Sequence, residues 1–441
     1  MNNSRELRSI FLALASLILL LILISSMASA ASPSIIKTRI TTHETAGNPA
    51  IYGNTIVWQD YRNGNWDTYI YDISTKKETH TTNKSNQTNP AIYGNRVVWE
   101  DYRNGNADIY MQDISTNKQT RITTNKFDQY SPAIYGDKIV WVEGRNGGKL
   151  DEYGNPARDE DWHIIGKLDI FMYDLATHKE TQITTSGTAY EPDIYGNKVV
   201  WTDCRSIYPA VFVSDIYMYD LDTKKETQIT TSELANNPAI YSNRIVWEDT
   251  RFDYSPSGIY MYNLSTHKET RIPAEIAHKP GIYGSKIVYE DGRYDSSGNT
   301  DIFMYDLSTN VETMITPWDM EHRGDDPYYE QDDPYQTNPA IYGDRIVYEQ
   351  GDIYMATLSY PPVAAFSASP LSGKAPLTVR FTDKSTGTPT SWSWNFGDKT
   401  ASTIRNPVHK YTKAGKYTVS LKVKNAAGNN TAKKTNYITV K

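Results

Sequence analysis

The chain has 441 residues, with room for two or more domains, and its 34 tyrosines with little leucine-rich sequence after the N-terminus favour strands over helices. One cysteine, Cys204, excludes an intrachain disulfide, so packing and strand pairing alone must hold the fold. The net charge of −7 hides 30 Lys and Arg against 49 Asp and Glu over 31–360, but 13 against 2 over 361–441, a balance that speaks against nucleic acid for the larger part.

Arg5 and Arg8 precede an apolar run from Ile10 to Ile24, and Ala28-Ser29-Ala30 offers a small-residue cleavage site. This predicts a signal peptide over residues 1–30, since a bilayer span needs roughly 20 apolar residues. The alternative is an uncleaved anchor, the one route by which the chain would touch a membrane. Either way the protein is expected to be secreted or at the cell surface. Sequons at Asn83, Asn86, Asn263 and Asn429 fit export.

Next comes a repeat. Pro-x-Ile-Tyr recurs at Pro49, Pro90, Pro132, Pro192, Pro238, Pro280 and Pro339, and each unit of about 40 residues holds four strand-like segments. In the second unit these are 91–93, 96–100, 108–113 and 118–123, with a Gly94-Asn95 hairpin between the first two. The last unit lacks a fourth strand, whereas Thr38-Arg39-Ile40-Thr41-Thr42 copies the fourth-strand sequence Thr120 to Thr124. The N-terminal strand is therefore expected to complete the last blade and close a seven-bladed β-propeller over 31–360, leaving no exposed edge. The strand Asp215 to Leu221, followed by Glu226 to Thr231, resembles the TolB-type propeller repeats of bacterial periplasmic and archaeal surface proteins. That resemblance implies fold and says little of function.

At Pro361-Pro362 the charge changes sign, marking a domain boundary. Residues 361–441 resemble a polycystic-kidney-disease (PKD) domain, on Ala375 to Val379, Trp392 to Asp398, Asn406 to Tyr411 and Gly415 to Val419. The resemblance implies an immunoglobulin-like β-sandwich used for extracellular interaction or spacing. Trp394 and Phe396 fall on one face and should be core, while Lys399 stands where the family usually has glycine.

Trp58, Trp99, Trp141, Trp201, Trp247, Tyr289 and Tyr348 hold one place in each second strand and read as packing between blades. Asp60-Tyr61-Arg62, Asp101-Tyr102-Arg103, Asp249-Thr250-Arg251 and Asp291-Gly292-Arg293 read as ion pairs locking neighbouring blades. Two turns gather oxygen ligands around a glycine: Asp60, Asn63, Asn65 and Asp67, then Asp101, Asn104, Asn106 and Asp108. Ca²⁺ suits such a set, although the spacing departs from an EF-hand and a polar hairpin explains the same residues.

Three insertions, 143–168, 204–214 and 317–337, break the short-loop pattern. Second-to-third and blade-to-blade links emerge on one face of a propeller, so all three should surround one mouth of the channel. The longest carries Trp318, Asp319, Asp325, Asp326, Tyr328, Tyr329, Asp332, Asp333 and Tyr335, and the first adds Tyr153, Asp159, Asp161 and Trp162. Aromatics among carboxylates suit a cell-surface protein or carbohydrate partner. No nucleophile elbow, zinc helix or phosphate loop is present, so binding is the expected function. A polysaccharide lyase or glycosidase using His163 or His322, and a structural envelope component, are the alternatives.

Overall fold

The computed structural model describes residues 33–151, 155–158, 164–205, 213–251, 257–293, 300–317 and 335–441, and these are strands and turns without a helix. They divide into two compact units, Ile35–Thr357 and one holding Leu358–Lys441. The expected signal segment, 1–30, lies outside the described residues.

The larger unit is a seven-bladed β-propeller of seven four-stranded antiparallel sheets. Blade 1 runs Ala46–Tyr52, Thr55–Asp60, Asp67–Asp72 and Lys77–His80, and blades 2 to 7 begin at Gln87, Asp128, Ala189, Ala235, Ala277 and Thr337. Each first strand packs on the next blade's first strand, and the seventh packs on the first, so the ring closes. The closure uses Ser34–Arg39, which pairs beside Asp352–Ser359 as the missing fourth strand. Ile40 N donates to Ile353 O at 2.8 Å, as Ile122 N donates to Ile109 O at 2.8 Å in blade 2, so the copied sequence occupies the copied place.

The first strands begin earlier than Pro-x-Ile-Tyr, as Gln87–Tyr93 does in blade 2. Proline has no N–H to give a ladder, so the strand slips register there, between Thr88 and Ala91 in blade 2 and at the equivalent place in every other blade. The residue before each proline takes a positive φ of 48–54°: Asn48, Asn89, Ser131, Glu191, Asn237, Lys279 and Asn338. Asparagine tolerates that conformation, whereas Glu191 and Lys279 hold it under strain.

The second-strand aromatics are fully buried between blades, Trp58 with Val347 and Met355 of blade 7 for example. The Asp-x-Arg pairs form, but within one blade. Asp60 accepts from Trp58 Nε1 at 3.2 Å and from Arg62 Nε at 2.8 Å, while Arg62 lies 4.1 Å over the Tyr69 ring and reaches Glu78 at 3.0 Å. The chain turns at Asp60, so a side chain two residues on faces its own third and fourth strands.

The smaller unit packs a three-stranded sheet, Phe366–Ser369, Leu377–Asp383 and Val408–Tyr411, with a five-stranded one. The strand Gly415–Asn425 alternates buried and exposed positions along its second half, and Trp394 and Phe396 lie in the core with Phe381 and Tyr411. Lys399 takes φ 72°, the backbone that glycine would adopt without strain.

Candidate functional site

Along each first strand alternate residues face the channel, which gives the wall three tiers. The top tier is Asn48, Asn89, Ser131, Glu191, Asn237, Lys279 and Asn338; with the seven prolines it lines a cavity of about 390 Å³ at one mouth. The middle tier is Ala50, Ala91, Ala133, Asp193, Ala239, Gly281 and Ala340. The bottom tier is seven tyrosines: 52, 93, 135, 195, 241, 283 and 342.

Neighbouring tyrosine rings stand 4.6–4.8 Å apart around the whole circle, in contact at every step. Burial together with the neighbouring tyrosines pushes Tyr52 up to about 12. The rings constrict that end of the channel, so the cavity is a cup with one wide mouth. In blade 4 Ala189 pairs with Asp203, so the second-to-third link leaves from the level at which the first strand starts. By that register the described ends of all three insertions lie at the cup's end of the propeller.

Carboxylates stand behind the rim. Glu100, Glu248, Glu290 and Glu349 each accept the backbone N–H of the top-tier residue in the next blade, for instance Asn338 N to Glu290 at 2.6 Å. Rim amides donate to them as well: Asn89 Nδ2 to Glu100 at 2.7 Å, Asn237 Nδ2 to Glu248 at 3.2 Å and Asn338 Nδ2 to Glu349 at 3.0 Å. Asn48 Nδ2 donates instead to Asn89 Oδ1 at 3.0 Å, so each of the four rim asparagines spends an amide donor within the wall. Blade 4 departs from the pattern, with Thr202 where these four blades have glutamate. There the carboxylate comes from Glu191, which accepts from Asn237 N at 2.8 Å and Thr202 Oγ1 at 2.8 Å.

Blade 4 departs again one tier down, where Asp193 replaces the small residue of every other blade and accepts from Ile240 N at 2.8 Å. Burial pushes Glu191 up to about 7 and Asp193 up to about 6. Across the cup, Lys279 Nζ lies 3.0 Å from Asn338 Oδ1 and 3.5 Å from Glu290. His278 Nδ1 lies 2.9 Å from Glu248, a hydrogen bond that raises the imidazole. Ser257 Oγ is 3.1 Å from both nitrogens of that ring, so it sits above neither lone pair and is not aligned as a nucleophile on a base.

The residues singled out for Ca²⁺ do come together in their hairpins. Asn63 Nδ2 and Asn65 Nδ2 donate to Asp67 at 3.1 and 2.8 Å, and Asn104 Nδ2 and Asn106 Nδ2 donate to Asp108 at 2.7 and 3.2 Å. Arg62 and Arg103 occupy Asp60 and Asp101. As they stand these groups do not present an oxygen cage: four amides would have to turn over. Among the described residues no group of three or more His, Cys, Asp or Glu is placed to hold a metal ion. Of the aromatic and acidic loop residues, Tyr335 is described and exposed. Trp318, Asp319, Asp325, Asp326, Tyr328, Tyr329, Asp332, Asp333, Tyr153, Asp159, Asp161 and Trp162 lie outside the described residues, as do His163 and His322. The cup is not legible in a single repeat, although Glu191-Pro192-Asp193 against Asn-Pro-Ala in four other repeats is a visible signal.

Fold and site define a seven-bladed β-propeller carrying a PKD domain. Residues 360–440 match the PKD domain family. A 76-residue stretch is 41% identical to collagenase ColA of Bacillus cereus, covering 16% of this chain and 8% of that protein. The chain therefore spans under a tenth of that relative. The propeller is similar to oligogalacturonate lyase from Vibrio parahaemolyticus, with a TM-score of 0.54 and 14% identity over 74% of this chain and 98% of that one. It is also similar to the β-propeller domain of the Trilobed protease from Pyrococcus furiosus, with a TM-score of 0.50 and 14% identity over 70% and 90%. Pyrococcus horikoshii acylaminoacyl peptidase follows at 0.52 and 11%, over 77% and 58%. At such identities these likenesses show the fold.

Proposed function

We propose that this is an exported cell-surface protein, in the manner of the TolB-like archaeal surface propellers its repeats resemble. In this reading it binds a partner protein or glycan through the propeller face on which the cup opens. The PKD domain serves as a spacer or envelope contact, in keeping with the extracellular setting that such a domain favours. The observation that carries the reading is the one-ended channel: seven tyrosines constrict one mouth, while the other holds a polar cup at the level from which the long connections leave.

The test is a crosslinking pull-down from the native envelope with the mature protein. It is compared with a 318–334 deletion, with Ser131→Lys in the cup, and with Asn95→Lys at the opposite end. Partners lost with the first two changes and kept with the third support the cup face. Partners kept with all three overturn the reading and direct attention to the PKD domain.

A further inference from the structure

Seven-fold repetition makes exceptions informative, because a position that serves the ring alone has no reason to differ in one blade. Two carboxylates sit in one strand: Glu191 lines the cavity at the rim, and Asp193 lies two residues on, its Oδ1 and Oδ2 accepting from Ile194 N and Ile240 N at 2.8 Å each. Each accepts a backbone N–H of blade 5, yet each carries a cost in its place. Glu191 holds a φ of 52° where four blades use asparagine, and Asp193 puts a charge where the others put alanine or glycine. Two residues of strand cover about 7 Å, close to the reach of a lysine side chain.

What surrounds them selects a ligand. The middle tier is otherwise alanine and glycine, so a narrow chain can pass. The floor is a circle of tyrosine rings and hydroxyls, electron-rich surfaces that attract a cation. Behind the rim stand Glu100, Glu248, Glu290 and Glu349, against the single ammonium of Lys279 and the imidazole of His278. Asn89, Asn237 and Asn338 donate to those carboxylates, Asn48 donates to Asn89 Oδ1, and Lys279 donates to Asn338 Oδ1. The field is therefore negative, which repels an anion and gives a neutral sugar no charge to exploit.

We propose that the channel binds a protonated primary amine, entering from the cup and held by Glu191 and Asp193 above the tyrosine floor. A lysine side chain and a chain N-terminus both present that group. The inference deepens the proposed function, since it names what a partner would insert.

Three peptides separate the sources by calorimetric titration of the mature chain: acetyl-Gly-Gly-Lys-amide, Gly-Gly-Gly-amide and acetyl-Gly-Gly-(acetyl)Lys-amide. The expected result is saturable 1:1 binding of at least one amine peptide, with the amine-free peptide about tenfold weaker or worse. Asp193→Ala, which installs the residue of the other repeats, should weaken the amine roughly threefold or more, and Lys279→Gln should strengthen it. Equal binding of all three peptides overturns the proposal, as does no binding at roughly 10 mM, or an Asp193→Ala variant that folds and binds like the parent. If envelope partners are lost with Ser131→Lys while no amine preference appears, the cup-face reading stands and the amine proposal falls; if the partners are kept with all three changes while the amine preference appears, the cup-face reading falls and the amine site stands.

Discussion

Glu191 Oε2 accepts the backbone N–H of Asn237 at 2.8 Å, joining blade 4 to blade 5 with a carboxylate drawn from the first strand instead of the second. The link has a cost that depends on protons. Burial raises Glu191 to about 7, near the carboxylate of Glu248 and the ammonium of Lys279, so the folded chain holds a proton there that the unfolded chain releases at lower pH. Stability from this group is full below the ordinary glutamate range and is lost as pH rises through about 7. Glu191→Gln keeps the acceptor and removes the titration. Its thermal midpoint should fall less than the parent's between pH 5 and pH 8, and parallel losses would show that Glu191 does not titrate in this window.

Asp193→Ala should stabilise the propeller at pH 8. The carboxyl, raised to about 6 by burial, is ionised there at a penalty that alanine avoids, on the order of 1–2 kcal/mol once the water in the channel is allowed for. Chemical denaturation at pH 8 checks this, and an unchanged or lower midpoint would show that its bond from Ile240 N outweighs the charge. A stability gain with loss of amine binding is the pattern expected of a residue kept for a ligand.

Affinity for an amine should rise with pH across the same window. Below about 6 both carboxyls carry protons and attract a cation weakly; above about 7 both are anions. His278, raised by Glu248, changes in the same favourable direction as it loses its own charge. Titrations at pH 5.5 and pH 8 should differ by roughly tenfold or more. An affinity that falls with pH would mean that Lys279, and an anionic ligand, dominate the cup.

The fold was legible in this sequence because a propeller repeats its grammar. Pro-x-Ile-Tyr, the Gly-Asn turn and the transplanted Thr38 to Thr42 each report a local requirement, met the same way seven times. What was hidden is what repetition cannot express. The tyrosines belong to a strand motif, and nothing in one repeat says that seven of them meet on an axis. The spacing of Asp60 and Arg62 suggests a lock between blades, because sequence gives spacing without the turn direction that folds Arg62 over Tyr69. Glu191 and Asp193 are hidden by a repeat consensus, which keeps the agreements among blades, whereas site chemistry lies in the exceptions.

Asp60→Ala should destabilise the propeller by about 2–4 kcal/mol, because Trp58 Nε1 and a mostly buried Arg62 would lose their shared acceptor. Burial pushes Asp60 up, but Arg62, Thr45 and Trp58 together hold it below the usual carboxylate range. Blade 3 supplies the contrast. Glu143 stands in place of the aspartate, its carboxylate accepts from Arg145 at 2.7 Å, and Trp141 Nε1 is left without a hydrogen-bond partner among the described residues. Glu143→Asp should therefore cost little or stabilise, restoring the bond that Trp99 Nε1 makes to Asp101 at 2.9 Å. Denaturation of the two variants side by side is the check, and equal losses would reject the tryptophan bond as the reason.

Lys399 offers a test confined to the PKD domain. Its φ of 72° puts a Cβ where only glycine is comfortable, at a cost of roughly 1–2 kcal/mol for an L-residue, while glycine gives part of that back through the entropy of the unfolded chain. The neighbouring turn is held independently. Asp398 accepts from Thr400 N at 3.1 Å and faces His409 Nε2 at 2.7 Å, and the His409 ring stacks on Phe396 at 4.2 Å. Lys399→Gly should accordingly raise the stability of this domain by about 0.5–1 kcal/mol without moving the transition of the propeller. Differential scanning calorimetry of the full chain separates the two transitions. A loss of stability would mean that the Lys399 side chain makes a contact worth more than the backbone strain it imposes.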